Sequence, residues 1–131
     1  MSVFGNHDAA GVAEAAEKFV SKMNESDLNA ALEQSEQTMS AHSRALFIEA
    51  IFDAFRGRGE SSEDAAEAAG TDLASLSNGD ESAVRTLIEY AKTNQGLLKE
   101  AAVVLIEEHP AIVGELAPAL RDGIAAKLSA Q

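Results

Sequence analysis

Three histidines, His7, His42 and His109, are the chain's whole supply of imidazole, the side chain best suited to general-base work and metal ligation near neutral pH. A helical di-iron carboxylate site needs Glu-x-x-His pairs, and the residues three before these histidines are Phe4, Met39 and Ile106. His-Glu-x-x-His, Gly-x-Ser-x-Gly and Gly-x-x-x-x-Gly-Lys do not occur. Gly57-Arg58-Gly59 follows a helical pattern, whereas a dinucleotide-binding loop follows a strand. His109 reads as a polar residue at a helix boundary before Pro110. With no Cys, the chain has no disulfide framework, thiolate metal site, iron–sulfur cluster or Cys nucleophile. No catalytic, metal-binding or cofactor-binding residue is assigned, no cofactor is expected, and the chain is expected not to be an enzyme.

Paired carboxylates are a second source of chemistry, since they can share a proton or hold a hard cation. They occur at Glu63-Asp64, Asp80-Glu81 and Glu107-Glu108. Adjacent helical positions point about 100° apart, and the alternating oxygen ligands of a calcium loop are missing. The first two pairs suit helix N-termini, where negative charge is favourable. Glu107-Glu108 falls at a helix C-terminus and reads as a solvated face.

The one basic feature is Arg56-Gly57-Arg58-Gly59, with Arg44 twelve residues earlier. Arg56 fits the last turn of a helix, with Gly57 as its left-handed cap. The same stretch could receive an acidic or carboxylate-bearing partner. In that reading Phe47 or Phe55 anchors the partner, and Arg56 and Arg58, with Arg44 nearby, form the polar rim.

These residues are carried by a chain of 131 residues, 46% apolar, which suits one globular domain. Its 26 Ala and 12 Leu, against 7 Val, 6 Ile and no Trp, favour helix over sheet. Apolar spacing predicts helices over about 8–23 with Asp8 as cap, from Leu28 to Gln37 capped by Ser26, and over 40–56. Short helices follow over 65–69 and, capped by Thr71, through Leu76, and longer ones over 81–93 and 97–108. In the last of these, Ala101–Ile106 is apolar throughout, and its helix-forming flanks decide for helix. Ile112, Leu116, Leu120, Ile124 and Leu128 mark a final helical stripe, which Pro118 must kink or restart. On the 40–56 helix, Leu46, Phe47, Ile48, Ile51, Phe52 and Phe55 cover most of the circumference, so it should be buried on several sides. The expected architecture is a compact all-α, single-domain bundle of five or six main helices plus short ones, residues 8–131, behind a flexible N-terminal tail, residues 1–7.

Glu63–Leu76 resembles a helix-turn-helix over about fourteen residues, through the spacing of Ala66 and Gly70. Its would-be recognition helix offers no Arg or Lys, and residues 60–92 hold eight acids against two bases, Arg85 and Lys92. The whole chain carries 22 Asp plus Glu and 10 Lys plus Arg, a formal charge of −12. Direct nucleic-acid binding and anionic membrane surfaces are therefore disfavoured. No apolar run reaches the roughly 20 residues of a membrane span, and the N-terminus carries no secretion signal, so a cytoplasmic protein is expected. The acidity suits a saline cytoplasm. The expected role is a small non-catalytic protein-interaction module, adaptor, regulatory or assembly in kind, whose partner is another protein or a second copy. The alternatives are an acidic DNA mimic that inhibits a nucleic-acid-binding protein, and an atypical helix-turn-helix regulator.

Overall fold

The computed structural model describes residues 9–129. The expected tail, the cap at Asp8 and His7 lie outside the described residues. Among these there is no strand, and nine helical segments occur, more than the five or six main helices expected. They are α1 (Ala9–Lys22), α2 (Glu25–Thr38), α3 (Ala41–Gly57), α4 (Ser62–Ala69), α5 (Leu73–Ser77), α6 (Glu81–Lys92), α7 (Leu97–Glu108), a 3-10 segment (Pro110–Glu115) and α8 (Pro118–Ser129). Six of them have 12 to 17 residues.

Local chemistry explains the boundaries. Asn24, not Ser26, caps α2, accepting from the Ser26 N–H at 2.8 Å. Ser40 caps α3, Asp80 caps α6, and Asp72 replaces the expected Thr71 as cap of α5. Gly57 lies inside α3 instead of capping it; the left-handed residue is Gly59, φ 88°. There the Glu60 N–H reaches back to the Phe55 carbonyl at 3.0 Å and closes the helix end. The apolar Ala101–Ile106 run is helical, and Pro118 starts α8 instead of kinking a longer helix.

Helix α7 sits at the centre, packed against α1, α2, α3, α6 and the 3-10 segment, which is why it is apolar over so much of its surface. Its heaviest packing is with α3. Helix α3 also meets α4, whose Ala65 and Ala66 are buried, so this short helix adds to the cover that α7 supplies. The Phe55 and Tyr90 rings stack, centroids 5.4 Å apart, and tie α3 to α6.

Helices α1 and α8 also pack together, and Phe19 of α1 lies directly over Gly123. A Cβ at Gly123 would overlap the Phe19 ring. Alanine normally stabilises a helix by about 1 kcal/mol relative to glycine, but Gly123→Ala is expected to lower stability by about 1–3 kcal/mol through overpacking. In a Phe19→Ala background the same change should instead raise stability, toward the helix-propensity gain. Urea midpoints of the four proteins check this reversal of sign.

Candidate functional site

Helix α3 carries all the proposed partner residues except Arg58, which follows it, and the structure separates them. Phe47 and Phe55 are 0% and 1% exposed, so neither presents a surface to a partner, contrary to the expectation that one of them would be an anchor. The physical reason is the cover from α7, α4 and Tyr90, which the spacing within α3 could not reveal. Arg56 is exposed and paired with Asp53 one turn back. Arg58 reaches across to α7, with Nη2 at 3.1 Å from Glu100 and 2.8 Å from the Gln95 carbonyl. Arg44 points the other way, to Glu36 of α2, with Nε at 3.0 Å from the carboxylate. The Arg-Gly-Arg-Gly stretch is thus divided between a helix end and an inter-helix tie.

Where α3 faces α5, the surface opens into a groove of about 480 Å³ lined by Ala45, Ile48, Glu49, Phe52, Arg56, Ser62, Leu73, Leu76 and Ser77. Ile48, Phe52 and Leu76 form an almost wholly buried floor, Leu73 is half-buried, and Ala45 stands exposed at the edge. The polar members, Glu49, Arg56, Ser62 and Ser77, give it a rim of both charges. Helix α5, five residues long, contributes Leu73, Leu76 and Ser77 to this groove. Such an apolar floor with a polar rim suits one large apolar side chain from another protein better than a polar metabolite.

The densest polar chemistry lies elsewhere, at the junction of α2, α3 and the 3-10 segment. Ser35, Glu36 and Ser43 are buried there. The Ser43 hydroxyl and the Ser40 N–H both donate to the Glu115 carboxylate, the latter at 3.1 Å. The Thr38 hydroxyl donates to the Glu115 carbonyl at 2.8 Å. Ser35 accepts the Ala117 N–H at 2.9 Å and donates to the Ala31 carbonyl at 2.7 Å. Together these bonds strap the C-terminal third of the chain to α2 and α3. Sequence reasoning missed the strap, although a signal was present: Leu28, Ala31 and Leu32 set a buried face on α2, and Ser35 and Glu36 continue it with polar residues.

The Ser43 hydroxyl and then the Ser40 N–H hold the Glu115 carboxyl below its ordinary pKa of 4.5, with burial opposing them. A carboxylate depressed in the folded state contributes stability above the unfolded pKa and loses it as pH falls through the folded one. Wild-type stability should therefore fall as pH drops below about 4.5. Glu115→Gln should be weaker at neutral pH and show a shallower loss in acid. Chemical denaturation from pH 7 to pH 3 measures both slopes, and parallel curves would count against the strap.

Between α2 and α6 a polar depression is lined by Glu25, Asn29, Glu33, Lys92 and Gln95, among others. Lys92 bridges Glu33 and Glu89, the latter at 3.0 Å, and those two carboxylates raise its pKa while it lowers that of Glu89. Glu25 accepts the Gly96 N–H at 2.6 Å, so the depression's polar groups largely satisfy one another. His42 and His109 are exposed, and no three His, Asp or Glu side chains gather as a metal-ligand group among the described residues. No described helix is long and apolar enough to cross a membrane. Compared with protein-family models, with characterised proteins and with solved structures, the chain matches none.

Proposed function

We propose that the protein is a non-catalytic protein-interaction module of adaptor, regulatory or assembly kind, acting in the cytoplasm as one compact helical domain. Its partner inserts a large apolar side chain into the α3–α5 groove and meets Arg56 at the rim with a carboxylate. The observation that carries this reading is the groove itself, with Ile48, Phe52, Leu73 and Leu76 beneath and Arg56 beside it. Charge adds support: in a chain of net charge −12, an exposed arginine beside apolar surface, even one paired with Asp53, is an uncommon complement for an acidic partner. In this reading the contacting side chains are Phe52 and its neighbours instead of Phe47 and Phe55, with Arg56 again proposed for the rim. Arg44 and Arg58 support the fold beneath the site through Glu36 and Glu100.

Ala45→Arg tests the reading, because Ala45 is exposed and its replacement fills the groove without opening the core. Sedimentation velocity over a concentration series reports self-association, and quantitative affinity capture reports other partners. Loss of an interaction in both Ala45→Arg and Arg56→Glu, with retention in the distant Glu108→Ala, supports the groove. Retention of every interaction by Ala45→Arg overturns it.

A further inference from the structure

Four of the chain's five phenylalanines stand in the described fold: Phe47, Phe52 and Phe55 are buried on α3, and Phe19 lies partly buried over Gly123. The fifth, Phe4, belongs to Met1-Ser2-Val3-Phe4-Gly5-Asn6-His7-Asp8, which precedes α1 and lies outside the described residues. This segment carries the two groups that suit the α3–α5 groove: one large apolar side chain and, four residues on, one carboxylate. The matching pair in the groove is Phe52 in the floor and Arg56 at the rim. Four residues of α3 rise about 6 Å, whereas four residues of extended chain reach about 13 Å. A segment with its ring over Phe52 therefore has length to spare for Asp8 to meet Arg56. Extended chain also turns alternate side chains to one side, which sets Phe4 and Asp8 on the same face. Arg56 already holds Asp53, but a guanidinium has five N–H donors and serves a second carboxylate as well.

The chain's own segment starts in the wrong place for this groove. Helix α1 packs mainly against α7, α8 and the 3-10 segment, none of which lines it. From α1 to α3 the packing runs through α7, and two helix spacings come to about 16–20 Å. From Ala9 back to Phe4 the chain spans at most about 18 Å, before any path around the surface is counted. A second copy supplies the segment without that limit. We propose that the α3–α5 groove receives residues 1–8 of a second copy of this chain, with Phe4 seated over Ile48 and Phe52 and Asp8 paired with Arg56. The inference rests on the groove being the interaction site, and it names the occupant. Made reciprocally, the exchange uses both segments and both grooves and closes as a two-fold dimer. A phenylalanine buries about 150–250 Å², so two such anchors with their flanks give a reversible, concentration-dependent dimer.

Sedimentation velocity of the full chain over a concentration series tests this, with circular dichroism checking that every variant is equally helical. Phe4→Ala, which empties the groove without touching the described core, and Ala45→Arg, which blocks it, should each raise the dimer Kd at least about tenfold. Asp8→Arg and Arg56→Glu should each weaken the dimer, and the double variant Asp8→Arg, Arg56→Glu should return to within about threefold of wild type, because the two charges have only changed places. Mixing supplies the decisive arm: Phe4→Ala keeps a working groove and Ala45→Arg a working segment, so together they should form a mixed dimer that neither forms alone. A wild type that is monomeric at every concentration, a dimer indifferent to Phe4→Ala, or a mixture that stays monomeric overturns the inference. If Ala45→Arg nonetheless abolishes capture of a different protein that Phe4→Ala retains, the groove reading stands without this occupant. If Ala45→Arg alters no interaction, both fall.

Discussion

Phe47→Ala should lower the free energy of unfolding by about 3–5 kcal/mol, the range for removing a buried aromatic side chain and leaving a cavity. Phe47 is 0% exposed and sits on the helix that packs most heavily against α7. Interiors are close-packed, so surrounding atoms relax only partly into such a void. A single domain is stable by about 5–15 kcal/mol, so the loss takes a large share of the total. Guanidinium denaturation of wild type, Phe47→Ala and the surface control Glu67→Ala measures it, the control staying within about 0.5 kcal/mol of wild type. If Phe47→Ala also stayed within that margin, α3 would not be oriented as described. Phe47→Leu should recover much of the loss and bind any groove partner normally, because Phe47 is not among the residues that line the groove.

Arg44→Ala is the second large effect. Its partner Glu36 is 3% exposed, so the substitution leaves a carboxylate with almost no water and without its counter-charge. Breaking a buried ion pair from one side costs about 3–5 kcal/mol, and the partial exposure of Arg44 brings the expectation to about 2–4 kcal/mol. The double variant Arg44→Met, Glu36→Met should be markedly more stable than either single variant, since an apolar pair can replace a buried ion pair at little cost. Denaturant midpoints for the cycle give the coupling energy directly. A double variant no better than the singles would mean that Arg44 and Glu36 act independently. The outcome also separates two roles for Arg44, because a residue that only met an external partner would leave stability unchanged when removed.

Helix content and most helix positions could be read from the amino-acid sequence, because they follow from local rules. Three-and-four apolar spacing marked out α1, α3 and α6, helix-forming flanks decided for α7, and a turn followed by the acidic pair Asp80-Glu81 marked where α6 starts. At Ser26 and Thr71 those rules found the helix start but chose a neighbour of the true cap. Asn24 and Asp72 compete for the same role with equally short polar side chains, and backbone geometry selects between them. The left-handed position fell on Gly59 and not Gly57 because α3 continues for one more half-turn.

The candidate site was legible only in part. Arg56 beside apolar surface on α3 followed from composition, since basic residues are few and that helix is crowded with large side chains. Which of those side chains reach a surface did not follow. Phe47 and Phe55 are fully covered, Phe55 in part by Tyr90, whereas Ile48 and Phe52 form the floor of the groove beside α5. Likewise Ser43 and Glu115, 72 residues apart, meet only because the 3-10 segment folds back over the α2–α3 junction. Periodicity is a property of neighbours along one helix, whereas burial depends on which helices arrive from elsewhere. The sequence by itself therefore determined that the chain is helical, acidic and rich in apolar helix faces. Tertiary packing alone decided which face is covered and which arginine is bound internally.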